Sequence, residues 1–377
     1  MTLPPSNNPP PPHGGVPYPP HQPGGHDGPQ YGGWQQHQPL QWSGGIPPKK
    51  RGNGWKWALG GVALLAVIAV TAVVSVSIAS GGDDSPAALP GGGDSEYASA
   101  NDTGPVNIIT EDPTCAAWIP INNKLARIQQ NGWHDRDRSI PAETWTSRQR
   151  AQYEEVAEAM RDAADQVSKL MKVTPNRAMR LLYEQFIAYA RAYSNAVPDY
   201  EPADNFLVGV VGAVSSALVR VCLSIEYGAA PARAPFVAAL SPSLLTDKVA
   251  AAAPPQPFLG NGDPTCSDWY ALLAQFREDT VAWQNLDAEI PANEWSQEQR
   301  KTIDDIGPVM KEFANDIEEL GRRSSNATLQ DLALLAAQYR RAYVESLPTY
   351  TSVDSYLSGA SAGITSAIID GCRAAEA

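Results

Sequence analysis

Histidine and cysteine are scarce in this 377-residue chain, which holds five of the first and four of the second. Four of the histidines (His13, His21, His26, His37) are scattered through the first 40 residues without metal-ligand spacing, and the fifth, His134, stands alone. A histidine-based triad or a His-rich metal site has no material here. No phosphate-cradling glycine loop or dinucleotide fingerprint occurs, so no nucleotide cofactor is expected. Stretches that alternate apolar and polar residues are rare, which argues against a sheet. Basic residues are few where the chain is longest: after residue 79 there are 24 Lys and Arg against 40 Asp and Glu. Nucleic acid as a partner is excluded by that acidic balance, because phosphates need a basic footprint.

One long apolar run is present. Trp57 to Ala79 is 23 residues without a charge, enough at about 1.5 Å rise per residue to cross a hydrocarbon core of roughly 30 Å. Lys49, Lys50, Arg51 and Lys56 precede it, and Asp83 and Asp84 follow. Basic residues stay on the cytoplasmic side, so the expectation is an integral single-pass protein with its amino end inside and its bulk extracytoplasmic. A cleaved secretory signal is the competing reading, with Ser77 to Ala79 as a small-residue site. Such signals begin within the first few residues, not after a tail of about 50.

Residues 1–56 contain 14 prolines between Met1 and Pro48, with Gly, Gln and isolated aromatics. That composition offers too little aliphatic surface to offset chain entropy and favours polyproline II, so a disordered tail is expected. Its functional reading is a docking site for proline-recognising partners, and its bland reading is a solvated tether. The run PPPPHGGVPYPPHQPGG, then KKR, then the Ala- and Val-rich span, resembles the proline-rich single-pass membrane proteins of mycobacteria and related actinobacteria. The resemblance covers about the first 80 residues, is compositional, and implies a bacterial envelope setting without assigning any functional residue.

Residues 80–110 are rich in Gly, Ser, Asp and Pro and read as a flexible stalk. Beyond them the chain resembles itself. DPTC at Asp112 returns at Asp263, Trp118 matches Trp269, Trp133 matches Trp283, IPAETW from Ile140 matches IPANEW from Ile290, YARAY from Tyr189 matches YRRAY from Tyr339, and Cys222 matches Cys372, at offsets of 151 and then 150. All six tryptophans after the span fall at paired positions. The expectation is an internal duplication giving helical domains at 111–223 and 263–377, with a semi-flexible linker over 224–262.

Four helices are expected per copy. The first spans about 115–130; the second opens with capping boxes at Thr146/Gln149 and Ser296/Gln299. The third begins near Thr174 with Pro175 in its first turn and lines up Met179, Leu182, Phe186, Tyr189 and Tyr193. The fourth, about 204–222, is apolar enough to imitate a second span. It is read as a buried core helix, because its counterpart from Tyr356 is too polar to cross a bilayer. The fold class is all-α, two tandem disulfide-closed four-helix domains. An up-down-up-down bundle brings the two cysteines of each copy to one pole, so of three connectivities the expected one pairs Cys115 with Cys222 and Cys266 with Cys372 in an oxidising compartment, with free thiols or a shared zinc site as the alternatives.

The candidate binding residues are those repeated without an evident packing need. Trp133 with Trp145, and Trp283 with Trp295, lie between the first two helices, where they either anchor a ligand or plug the bundle. Arg191 and Arg341 sit in the third helix, with Asp204 or Asp354 as expected partners. No catalytic residue or metal site is assigned. The expected function is a membrane-anchored, non-enzymatic envelope protein whose two domains bind a protein or cell-wall component. The alternative is a carboxylate-dependent hydrolase or lipid-processing factor using residues such as Asp137, Glu143, Glu154 and Glu155.

Overall fold

The structure, a computed structural model, describes residues 96–241 and 254–377. The proline-rich tail, the expected span at 57–79 and the start of the expected stalk lie outside the described residues. The described residues fall within one contact unit and are all-α, with ten α-helices, short 3-10 turns and no strand among them.

The first bundle comprises α1 (Cys115–Gln129), α2 (Ser147–Val173), α3 (Arg177–Ala196) and α4 (Asn205–Glu226), followed by the short α5 (Ala229–Arg233). The second comprises α6 (Cys266–Asp279), the one-turn α7 (Val281–Gln284), α8 (Gln297–Arg323), α9 (Ala327–Ser346) and α10 (Ser355–Glu376). Both expected capping boxes form: the Thr146 and Ser296 side chains accept from the Gln149 and Gln299 amides, and each Gln side chain accepts from the cap's own N–H. Along α2, Val156, Met160, Ala163 and Val167 are buried at three- and four-residue steps. The third helix starts later than expected. Thr174 closes α2, Pro175 lies between the helices, and Asn176 caps α3 by accepting from the Met179 amide. An Asn side chain held at the first orphan amides wins over a proline merely tolerated in the first turn.

The DPTC motif ties each first helix to the α2–α3 or α8–α9 corner. Asp112 Oδ1 accepts from the Thr114 amide at 2.9 Å and its Oδ2 from Thr174 Oγ1 at 2.5 Å. Asp263 does the same, with Thr265 at 2.9 Å and Ser324 Oγ at 2.6 Å. The next residue in each motif is the disulfide cysteine. Cys115 bonds to Cys222 with Cα atoms 5.3 Å apart, and Cys266 to Cys372 at 5.6 Å, so each bundle is closed from its first helix to its fourth.

Helix α4, with its preceding turn (Pro202–Glu226), has the length and composition to cross a membrane. It packs along α10 instead, with Val210, Val211, Val214, Leu218 and Val221 buried. Close approach of the two is possible because the facing residues are small: a Cβ on Gly363 would lie 2.8 Å from the Ala217 amide nitrogen.

The bundles are joined by more than this helix pair. Arg177 of α3 meets Asp331 of α9 at 2.8 Å, both buried, and Arg233 of α5 meets Asp354 at 3.1 Å. The segment before each first helix also crosses to the other bundle. Ile109 O accepts from Tyr339 and Val106 O from Gln338, while the Phe258 amide donates to Gln185 at 2.9 Å and the Phe258 ring meets Tyr189 edge-on.

These contacts correct two expectations. Residues 96–110 are not a free stalk here: Val106, Ile108 and Ile109 are buried, and Asp102 accepts from the Arg177 amide. Their apolar content was masked by the Gly, Ser and Asp around them. The expected semi-flexible linker is likewise packed at both ends, through Arg233 on one side of residues 242–253 and fully buried Leu259 on the other.

Candidate functional site

Each bundle ends, opposite its disulfide, in an aromatic cluster built from its two interhelical connections. In the first, Trp145 lies 3.9 Å from Tyr153 and 5.4 Å from Tyr200 between ring centroids, and Trp133 contacts Tyr153 and Tyr193 edge-on. The IPAETW loop is held by polar clamps as well as by packing. Trp145 Nε1 donates to Ile140 O at 2.9 Å, the Ala142 amide to Tyr200 O at 2.8 Å, and the Tyr200 hydroxyl to Arg138 O at 2.9 Å. The second bundle repeats all three: Trp295 to Ile290 O, Ala292 to Tyr350 O and Tyr350 to Ala288 O. Burial pushes the phenols of Tyr200 and Tyr350 well above the usual tyrosine range, so at neutral pH both remain donors.

Trp133 and Trp145 are buried in this arrangement, and Trp283 and Trp295 are half-buried. Their rings close the bundle ends. The two poles differ at two positions: Tyr153 of the first cluster is matched by Ile303 in the second copy, and only the first carries a cation. Arg136 lies 3.4 Å over the Trp133 ring and donates to Asn205 Oδ1 at 2.8 Å, whereas the matching position in the second copy is Leu286. Burial lowers the Arg136 pKa, partly offset by the surrounding tyrosines. Where Leu286 stands, Trp283 Nε1 donates to Tyr343 at 3.0 Å. Tyr200 and Tyr350 are not among the expected site residues, although they end a further repeated run, VPDY from Val197 and LPTY from Leu347, at the same offset of 150.

Arg191 and Arg341 do not reach Asp204 or Asp354. They point across to α2 and α8: Arg191 pairs with Asp165 at 2.8 Å, and Arg341 with Glu318 at 2.7 Å and Asn315 at 2.9 Å. Asp204 and Asp354 accept instead from the backbone amides of Glu201 and Thr351 at the start of the fourth helices. Arg341 lines a surface depression with Asn315, Glu318, Glu319, Arg322 and Arg323. Burial pushes Glu318 up, but hydrogen bonds from Arg341 and Arg322 outweigh it and hold its carboxyl below the usual range. Asp137 is fully exposed, and hydrogen bonds from the Ser139 hydroxyl and amide hold its carboxyl low. A general acid needs the opposite shift.

No solved structure matches this chain. It is 43% identical over 381 residues to an uncharacterized protein of Mycolicibacterium smegmatis (strain MKD8), covering all of this chain and 97% of that one. The model of the family described as mycobacterial ESX-1 associated protein matches residues 97–376. Those residues are the two disulfide-closed bundles and the segment that packs on them, not the proline-rich stretch that carried the actinobacterial resemblance. The chain therefore belongs to the mycobacterial ESX-1 associated protein family.

Proposed function

We propose that this protein is a single-pass, membrane-anchored partner of the ESX-1 machinery, with its amino end cytoplasmic and its two bundles outside, where they bind a protein or envelope component without catalysing a reaction. One observation carries the reading: both bundles are closed by a disulfide from first helix to fourth, which fits an oxidising, extracytoplasmic compartment. The charge step across residues 57–79, basic before and acidic after, gives the same polarity. Membership of an ESX-1 associated family supplies the setting.

The binding reading is preferred to the hydrolase because the carboxylates weighed for chemistry serve structure or solvent. Asp137 braces its own loop through Ser139, and Asp287 accepts from the Glu289 amide at 2.9 Å. Proximity labelling from each terminus in living cells tests topology and partners together. Biotinylation of the carboxyl-terminal bundle by a cytoplasmic enzyme would overturn the orientation. Envelope hydrolysis lost on mutating Asp137 and Asp287, with the fold intact, would overturn the non-enzymatic role.

A further inference from the structure

Arg340, on α9, is 2% exposed. Among the described residues its Nε and Nη1 have no hydrogen-bond partner, and no carboxylate of those residues forms an ion pair with it. Its guanidinium carbon lies 5.1 Å from the Phe276 ring and 5.5 Å from the Phe313 ring, which are themselves stacked at 3.7 Å. Burial lowers its pKa to about 10, so it keeps its proton at neutral pH.

The fold does not require this arrangement. At the repeat offsets, Arg340, Phe276 and Phe313 correspond to Ala190, Leu125 and Ala163, and all three of those are buried in an apolar core. Nor do the rings compensate the charge. A cation–π contact returns only a fraction of what an ion loses on leaving water, and each unmade hydrogen bond adds to the deficit. A cation kept at such cost, in one repeat only, points to a ligand.

We propose that Arg340 is the receptor for a single oxyanion, a carboxylate or a phosphate, admitted when the carboxyl-terminal half of α6 lifts Phe276 off the guanidinium. The first turn of α6 is fixed by Cys266–Cys372, but α6 packs less extensively on α8 than α1 does on α2. Its far end breaks at Thr280 before the single turn of α7. Trp283 on α7 donates to Tyr343, one turn beyond Arg340 on α9, so lifting this wall disturbs a tryptophan next to the site. This inference adds a ligand class to the binding role proposed above and rests on it only for biological use.

The test is thermal unfolding of the full chain in detergent micelles, titrated with acetate or phosphate against chloride at constant ionic strength. Wild type is expected to gain Tm with anion concentration. Arg340→Met is expected to start higher without anion and to lose the response. Acetate acting below phosphate marks an acidic side chain as the natural ligand, and the reverse marks a phosphate. A second variant leaves Arg340 in place: Phe276→Ala removes the wall and is expected to lower the anion midpoint by about tenfold, as when a closed state of about 90% is abolished, read by Trp283 fluorescence. No anion response in wild type, an equal response in Arg340→Met, or an unchanged midpoint in Phe276→Ala would each overturn the proposal. None of these readouts depends on membrane orientation.

Discussion

Gly209 of α4 faces Asp370 of α10, so closely that a Cβ at 209 would lie 2.7 Å from Asp370 Oδ2. The relationship has a counterpart: Gly359 of α10 faces Arg220 of α4, with 3.1 Å from a built Cβ to the Arg220 side chain. Positions 209 and 359, and 220 and 370, are matched by the repeat offset of 150. The antiparallel α4 and α10 thus meet as two copies would across a two-fold axis, each offering the same surface to the other. The crossed-over segments at Ile109 and Phe258 and the buried Arg177–Asp331 pair belong to the same joint.

The helix–helix contact gives a paired test. Gly363→Ala drives a methyl into the Ala217 backbone at 2.8 Å and is expected to cost about 1–3 kcal/mol, the usual penalty of overpacking. Gly212→Ala, on α4 where nothing lies within 4 Å, is expected to gain up to about 1 kcal/mol from helix propensity. Urea unfolding of the two variants checks opposite signs at sites on the same helix pair.

Breaking the joint by one partner should be worse than replacing both. Asp331→Ala leaves buried Arg177 with only the more distant, partly exposed carboxylate of Asp102 at 3.7 Å and is expected to cost about 2–4 kcal/mol, short of the full penalty for an unpaired buried charge. Arg177→Met with Asp331→Leu is expected to recover most of that loss. A double-mutant cycle by chemical denaturation measures the coupling.

Reduction should weaken both bundles. Each disulfide closes a loop of more than 100 residues, with separations of 107 and 106. Cys115→Ser with Cys222→Ser is expected to cost about 2–5 kcal/mol. Scanning calorimetry with and without reductant checks it.

Stability should depend on pH through Asp370. Burial between α4 and α10 raises its pKa from 3.8 to about 6, against the lowering effect of Arg373 and Arg277. The folded state therefore holds a proton that the unfolded state releases between those values. Stability attributable to this group is greatest below pH 3.8, falls as pH rises to about 6, and stays low above it. Asp370→Asn is expected to flatten that slope and to gain stability at pH 7, on the order of 3 kcal/mol. Tm against pH for wild type and variant checks both the sign and the window.

The helices were legible because periodicity and capping are local. Thr146 and Gln149 announce their box within four residues, and Val156, Met160 and Ala163 declare their face within eight. The disulfide pairing was legible because a four-helix topology brings the ends of its first and last helices together. The candidate site was only partly legible. Trp133 and Trp145 were visible as repeated residues, but that Tyr193 and Tyr200 close over them depends on contacts between residues more than 50 apart in sequence. Arg191 illustrates the limit: its partner Asp165 lies on the neighbouring helix, and which acid an arginine meets is set by helix rotation.

By itself the sequence determined the charge step around residues 57–79, the all-α class, the internal self-similarity and the cysteine pairing, all of which follow from composition, period or topology. Only the tertiary structure decided that the repeats interlock through α4 and α10, that residues 96–110 pack on them, and that Arg340 is buried without a counter-charge among the described residues. These are facts of close approach between distant residues, where a missing Cβ or an absent carboxylate matters only once the neighbour is known.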